Sequence, residues 1–410
     1  MHMREIILIS VSGTDKPGLT NKLTKVLSEY KINILDVGQA VIHATLSLGI
    51  LIEIPPESES SPVLRDILFK AHELELNVKF KPIDVQEYED WVRAQGKPRY
   101  IITILGKQIT ALHMHEISEI ISQNKLNIDS IKRLSGRKSL HNAHDNLRAS
   151  VELTVRGEPD DIASMRSKFL DISRELGIDI SFQIDNMYRR NRRMVAFDMD
   201  STLIQAEVID ELAKAAGVGE QVAAITEQAM QGNIDFTESF RQRLALLAGL
   251  DEQVLASLAD NLPITQGAEN LISTLRKIGY KTAIISGGFE YFGKYLQRRL
   301  GIDYVFANQL EIKDGKVTGK VCGQVVNAER KAEILRELAK KEQISLDQVI
   351  AVGDGANDLP MLSIAGLGIA FNAKPVVKKS ARHSISNLGL DGILYLIGVR
   401  DRDLLIQGDV

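Results

Sequence analysis

Two rhythms of apolar residues run through this chain: short unbroken or alternating runs that read as strands, and three-and-four spacings that read as amphipathic helices. One strand-like run begins at Arg4-Glu-Ile-Ile and ends at Gly13; another begins at Arg99-Tyr-Ile-Ile and ends at Gly106, and each leads into a helix pattern. After each helix comes a matching tripeptide, Ile32-Asn33-Ile34 and Leu126-Asn127-Ile128, which opens a further strand. The two landmarks are offset by about the same distance, which predicts a tandem repeat of one small domain. Each copy has the order β-α-β-β-α-β. In the second it runs IITIL, a helix around 115–123, IDSIKRL, ASVELTVRG, a helix over 161–176, and DISFQI. From Met194 the pattern changes to an α/β alternation. VAFDMD, KTAIIS, YVFAN, QVIAVGD and GLGIAF are the apolar runs expected of strands buried on both faces. A mostly helical stretch at about 206–262 is too long for a simple crossover and predicts a cap.

These patterns predict an α/β chain with two ferredoxin-like domains, 1–86 and 97–185, followed at 193–410 by a doubly wound parallel sheet carrying a helical cap. The charged stretch 85–97 reads as a connector, with Trp91 as an anchor between domains. The stretch 186–193, NMYRRNRR, reads as a solvated linker. A nucleic-acid contact is disfavoured there, because a net charge of −4 over 410 residues gives no global attraction to polyanions or to an anionic membrane surface. At 44% hydrophobic and 25% charged residues, with only ten prolines, the chain predicts packed domains and small-molecule chemistry. Its one cysteine, Cys322, excludes an intrachain disulfide or a cysteine metal cluster and reads as a buried or strand cysteine. The longest apolar run, 41–54, is interrupted by His43, Thr45, Ser47 and Glu53 and is too short to span a bilayer. The first residues lead straight into a strand without the regions of a secretory signal, so a cytoplasmic protein is expected. His113 with His115, and His141 with His144, lack a third ligand nearby and read as solvated.

The chemistry begins where VAFDMDSTL ends an apolar strand with Asp198 and Asp200, two residues apart and on one face if the extended geometry continues. Two carboxylates so placed require a divalent cation, a shared proton or a nearby lysine. In doubly wound sheets ligands collect at the carboxyl ends of strands. Other strand ends and loops there carry Ser286-Gly287-Gly288, Lys331 and Gly353-Asp354-Gly355-Ala356-Asn357-Asp358. The ordered set D-x-D-x-T, S-G, K and G-D-G-x-N-D resembles the four motifs of the haloacid-dehalogenase phosphatase superfamily.

The resemblance implies that Asp198 is the nucleophile, that Asp200 acts as acid and then base, and that Mg²⁺ is held by Asp198, Asp354 and the Asp200 carbonyl. It makes Ser286, Gly287, Lys331 and Asn357 donors to the phosphoryl oxygens, with Asp358 supporting Lys331 or the metal shell. Glu207 and the segment Met230–Arg243 sharpen the resemblance to the phosphoserine phosphatase family. Arg243 and Glu207 would then pair with a substrate carboxylate and ammonium, and Met230 and Phe236 would close the pocket. The implied reaction is Mg²⁺-dependent hydrolysis of O-phospho-L-serine to L-serine and phosphate through an aspartyl phosphate, the last step of serine biosynthesis. The tandem repeats resemble ACT domains through Gly13-Thr14-Asp15-Lys16-Pro17-Gly18-Leu19. That likeness implies an amino-acid effector such as L-serine near Asp15, Gly18 and Asn33, and a homodimer through the ACT domains. The second copy has Gly106-Lys107-Gln108-Ile109 in place of the D-x-P-G turn. Two other readings remain open: phosphoryl chemistry on another small ester or acceptor, and a mainly amino-acid-sensing regulatory protein.

Overall fold

The first apolar run forms β1 (Glu5–Thr14), followed by α1 (Leu19–Glu29), β2 (Asn33–Ile42), β3 (Thr45–Ile54), α2 (Ser60–Glu73) and β4 (Asn77–Ile83). The computed structural model describes residues 5–55, 59–137, 148–231 and 233–405, with the backbone alone at Met230 and Leu405. Every second residue of β3, from Leu46 to Ile54, is buried. These side chains meet Leu19, Leu23 and Leu27 of α1 and Val63 and Ile67 of α2, so period-two strands and period-3.6 helices share one core. The sheet is antiparallel in the order β2-β3-β1-β4. The charged stretch that follows forms α3 (Val85–Gln95), begun by Asp84 accepting from the Gln86 amide. Trp91 remains 37% exposed on it, its ring tilted against Tyr88 of the same helix. Residues 1–97 form one compact unit and residues 98–410 another.

The second unit opens with the repeated pattern: β5 (Arg99–Gly106), α4 (Ala111–Gln123), β6 (Asn127–Arg133), β7 (Ala149–Arg156), α5 (Ile162–Leu176) and β8 (Asp179–Ile184), in the order β6-β7-β5-β8. The repeat extends to an irregularity. β2 slips register between Ile34 and Asp36, and β6 slips between Ile128 and Ser130, each directly after the matching tripeptide. Helix α4 starts four residues before the expected 115, because Thr110 and His113 form a reciprocal capping box. The expectation of a solvated His113 is therefore corrected: its ring is buried and closes that cap. His115 is exposed, 3.8 Å from Glu119. His141 and His144 lie outside the described residues.

The reading of 186–193 as a solvated linker is also corrected. It forms a single turn, α6 (Met187–Arg190), in which Arg189 is buried with its guanidinium 2.7 Å from Glu152. Arg192, equally buried, donates to Gln183 Oε1. Burial demands partners for a guanidinium, and the neighbouring repeat supplies them. Further polar contacts join that repeat to the following domain. Asp179 accepts from the Ser386 and Asn387 amides at 2.9 and 2.8 Å, Gln183 donates to the Leu396 carbonyl, and Arg148 pairs with Asp391 and Asp401.

That domain begins with β9 (Met194–Phe197). Four cap helices follow: α7 (Val208–Ala215), α8 (Gly219–Met230), α9 (Phe236–Ala245) and α10 (Glu252–Asp260). The chain continues through α11 (Ala268–Lys277), β10 (Lys281–Phe289), α12 (Glu290–Leu300), β11 (Tyr304–Lys313), β12 (Lys316–Cys322), α13 (Ala328–Lys341), β13 (Val349–Gly353), α14 (Leu359–Ile364), β14 (Leu367–Phe371), α15 (Pro375–Ser380) and β15 (His383–Ile385). The sheet order is β12-β11-β10-β9-β13-β14-β15, parallel except for the β12 edge, where Cys322 ends the strand exposed. Along β9 the side chains alternate between faces. Val195 and Phe197 join the cluster containing α11 and α12, while Met194 and Ala196 join α13 and α14. Among the described residues, no helix is long and apolar enough to cross a membrane.

Candidate active site

Strand register builds the site. Phe197 pairs with Ile284 of β10 on one side and Val352 of β13 on the other, so the residues that follow these three emerge together at the carboxyl end of the sheet. β9 sits where the strand order reverses, which opens a crevice there. Asp198 keeps extended backbone angles and donates its amide to the Val352 carbonyl at 2.8 Å, which ties its position to β13. The chain then leaves the strand through a tight turn with Ser201 at φ +54°, so the strict i, i+2 alternation ends at Asp198. Asp200 is instead fixed by the start of α7, accepting from the Val208 amide at 2.9 Å.

Lys331, from the first turn of α13, is wholly buried, its Nζ 2.8 Å from Asp198 Oδ1 and 2.7 Å from Asp358 Oδ1. Burial pulls its ammonium down, but the two carboxylates outweigh burial and hold it above the ordinary lysine value. Asp358 also accepts from the Gly355 amide. Carboxylate oxygens of Asp198, Asp354 and Asp358 lie within 4.8 Å of one another. One ammonium pairs with two of these three acids, Asp198 and Asp358, and among the described residues leaves Asp354 without a paired cation. Burial, followed by the charges of Asp198 and Asp358, pushes Asp354 up to about 7. An oxygen-only donor set short of positive charge fits a hard divalent cation. The Asp200 carboxyl stands outside this trio; burial, then the charges of Glu207 and Asp198, raise it well above the usual carboxylate range.

The cap covers the array and leaves a cavity of about 890 Å³, lined by Asp198, Asp200, Asp354 and Asn357 below and by Glu207, Phe236 and Arg243 above. Ser286 and Gly287, at the end of β10, line it too. The buried Ser286 Oγ accepts from the Gly288 amide at 3.0 Å. Glu207 accepts from Ser201 Oγ at 2.7 Å, and burial raises its carboxyl. Arg243 reaches Thr226 Oγ1 only at 3.4 Å, and burial lowers its guanidinium. A carboxylate and a guanidinium thus face the same cavity, the guanidinium also donating to the Ser239 carbonyl at 3.4 Å. The side chain of Met230 lies outside the described residues.

In the first repeat, Asp15 and Gly18 border a cleft of about 260 Å³, and Gly18 has φ +86°, the left-handed backbone that favours glycine. Asn33 does not join them. It lies at the opposite end of the sheet, opposite Glu53 on β3, whereas β3 begins at Thr45 beside Thr14.

Family models match an ACT domain at residues 5–81, a second ACT domain at 99–183 and a haloacid dehalogenase-like hydrolase at 193–366. The chain is 38% identical to the phosphoserine phosphatase SerB2 of Mycobacterium tuberculosis over 96% of its own length and 93% of that protein. It belongs to the phosphoserine phosphatase family. A relative of that name from Streptomyces coelicolor is 37% identical over 96% of this chain and 92% of its own. Among solved structures, a probable phosphoserine phosphatase from Vibrio cholerae gives a TM-score of 0.58 at 35% identity, over 73% of this chain and 86% of that one. A HAD family hydrolase from Salmonella enterica serovar Typhi gives 0.62 at 32% identity, over 73% and 99%.

Several residues that shape the site carry little signal in the sequence of this family member. Thr202 donates to Asp354 at 3.2 Å, and Ser201 holds Glu207. A side chain on Gly288 would overlap Asp200, and one on Gly353 would overlap Asp358. Thr202 stands inside the quoted D-x-D-x-T motif, but its partner lies 152 residues away. The two glycines follow strand-end patterns that also occur where nothing approaches.

Proposed function

We propose that the protein hydrolyses O-phospho-L-serine to L-serine and phosphate with Mg²⁺. The observation that carries this reading is the cavity in which Asp198 and Asp200, with Lys331 buried behind Asp198, face Glu207 and Arg243 of the cap. Asp198 attacks phosphorus, forming an aspartyl phosphate as the bond to the serine oxygen breaks. Asp200, fixed one turn further on, gives its proton to the departing alkoxide. As a carboxylate it then takes a proton from the water that cleaves the acyl phosphate. Lys331, held by Asp358, places a fixed positive charge beside the phosphoryl oxygens, and Ser286, the Gly287 amide and Asn357 donate hydrogen bonds to them. The Asp198 and Asp354 carboxylates and the Asp200 carbonyl would hold magnesium, whose chemistry there would be to neutralise part of the phosphate charge.

Substrate choice follows from the opposite wall. The Glu207 carboxylate faces the ammonium and the Arg243 guanidinium the carboxylate of a zwitterionic substrate, while Phe236 excludes water when the cap closes. L-Serine acting through the ACT repeats, near Asp15 and Gly18, would set the activity, with a homodimer formed through those repeats in the cytoplasm. The deciding measurement is phosphate release from phosphoserine, phosphothreonine and glycerol 2-phosphate, with and without Mg²⁺ and with serine titrated in. A strong preference for phosphoserine, lost on Glu207→Gln and Arg243→Met, is expected. Asp198→Asn should lower turnover by about three orders of magnitude or more, since a nucleophile has been removed. Turnover at the parent rate by the folded Asp198→Asn protein overturns the reading.

A further inference from the structure

A second cleft, of about 520 Å³, lies between α5 and β8 of the second repeat and the α15–β15 segment of the catalytic sheet. Arg166, Lys378, Lys379 and Arg382 all border it. Its one lining carboxylate, Asp171, is ion-paired with Arg174 at 3.5 Å. Asp179, whose charge reaches Lys378, is already held by two backbone amides. Arg166 lies over the Phe182 ring at 5.8 Å, and its Nε is buried without a hydrogen-bond partner. Among the described residues, the cleft therefore gathers positive charge that no further lining carboxylate compensates. Burial and then Arg382 lower the Arg166 guanidinium; burial and then Arg166, Arg192 and Arg382 push the adjoining His383 down to about 3. Paired guanidinium forks suit the oxygens of a phosphate dianion, and the Ser167 and Ser384 hydroxyls, one on each side of the cleft, add neutral donors.

We propose that this cleft binds a phosphate dianion, free or at the end of a small monoester, and so clamps the second ACT repeat to the catalytic sheet. The donors come from both sides, Arg166 from the repeat and Lys378, Lys379 and Arg382 from the sheet. The inference does not depend on which ester the active site cleaves.

The test is hydrogen–deuterium exchange on the full-length Asp198→Asn protein, which keeps an ester probe intact, with inorganic phosphate or phenyl phosphate titrated in separately. Segments 162–176 and 375–385 should gain protection together, with inorganic phosphate alone if the free ion is the ligand and at lower concentration with phenyl phosphate if an ester is. Adding Lys379→Gln and Arg382→Gln, both at exposed positions and tolerable to the fold, should raise the concentration needed about tenfold or more, the worth of one charge-assisted hydrogen bond. Protection around 198–204 should remain at its original concentration. No protection of 162–176 and 375–385 with either probe overturns the proposal. So does an unchanged titration of those segments in the Lys379→Gln/Arg382→Gln protein.

Discussion

His383 shows how much one buried ring records of its surroundings. It is enclosed between the second repeat and the catalytic sheet, with Nδ1 3.0 Å from Ser181 Oγ, and burial and three arginines push it down to about 3 from an ordinary 6.5. Between those two values the unfolded chain takes up a proton that the native ring refuses. Its contribution is therefore complete above pH 6.5 and is lost as pH falls towards 3, by up to about 1.4 kcal/mol per pH unit. His383→Asn keeps a polar atom near the Nδ1 position and removes the titration. Urea unfolding at pH 7 and pH 5 should show the parent losing about 2 kcal/mol more than the variant across that interval. Equal losses would remove the buried neutral histidine from the acid response. No linear pattern marks this environment, nor the burial of Arg189 and Arg192. A basic run reads alike whether or not carboxylates face it, and Glu152 lies 37 residues upstream of Arg189. Asp198, Asp354 and Lys331 were legible for the opposite reason, since their motifs follow one another in an order that few other chemistries require.

At the scale of elements, the close approach of the carboxylates depends on strand ends without side chains. β10 passes Asp200 at Gly288, where a methyl group would overlap Asp200 Oδ2 and come within 2.8 Å of Met199 Cε. Gly288→Ala must move either the strand end or the acid, and the Val208 amide that holds Asp200 resists the second. Expected is a loss of about tenfold to a hundredfold in kcat for phosphate release, with KM changed less, because an ångström-scale displacement acts on chemistry more than on binding. A variant with the parent kcat would mean that Asp200 is not held where the reaction needs it. The elements themselves were readable from hydrophobic period, and the repeat was readable even to the slip in β2 and β6 that follows each I-N-I or L-N-I landmark. What period does not encode is which helix starts on which cap, as the four extra residues of α4 illustrate.

For the whole molecule the question is where one cooperative unit ends. Three repeated or inserted domains would suggest three units, yet residues 98–410 hold together and residues 1–97 form a separate body. The reason lies in the polar groups buried between the second repeat and the catalytic sheet. Asp179 satisfies two backbone amides, Gln183 bridges Arg192 and the Leu396 carbonyl, and Glu152 neutralises Arg189. Each is inaccessible enough that losing its partner leaves an unpaired polar group, costing about 1–3 kcal/mol apiece and more for a charge. A fragment of residues 98–410 should therefore fold in a single transition and hydrolyse phosphoserine within about threefold of the full chain, because the described residues that line the site all come from the catalytic domain. A fragment of residues 193–410 keeps every residue of the site but strips His383, Ser386 and Asn387 of their partners. Its urea midpoint should fall well below that of the longer fragment, with activity lost at temperatures the longer fragment survives. Equal midpoints for the two fragments would make the second repeat a passenger on the catalytic sheet, and the buried contacts between them would then carry no net stability.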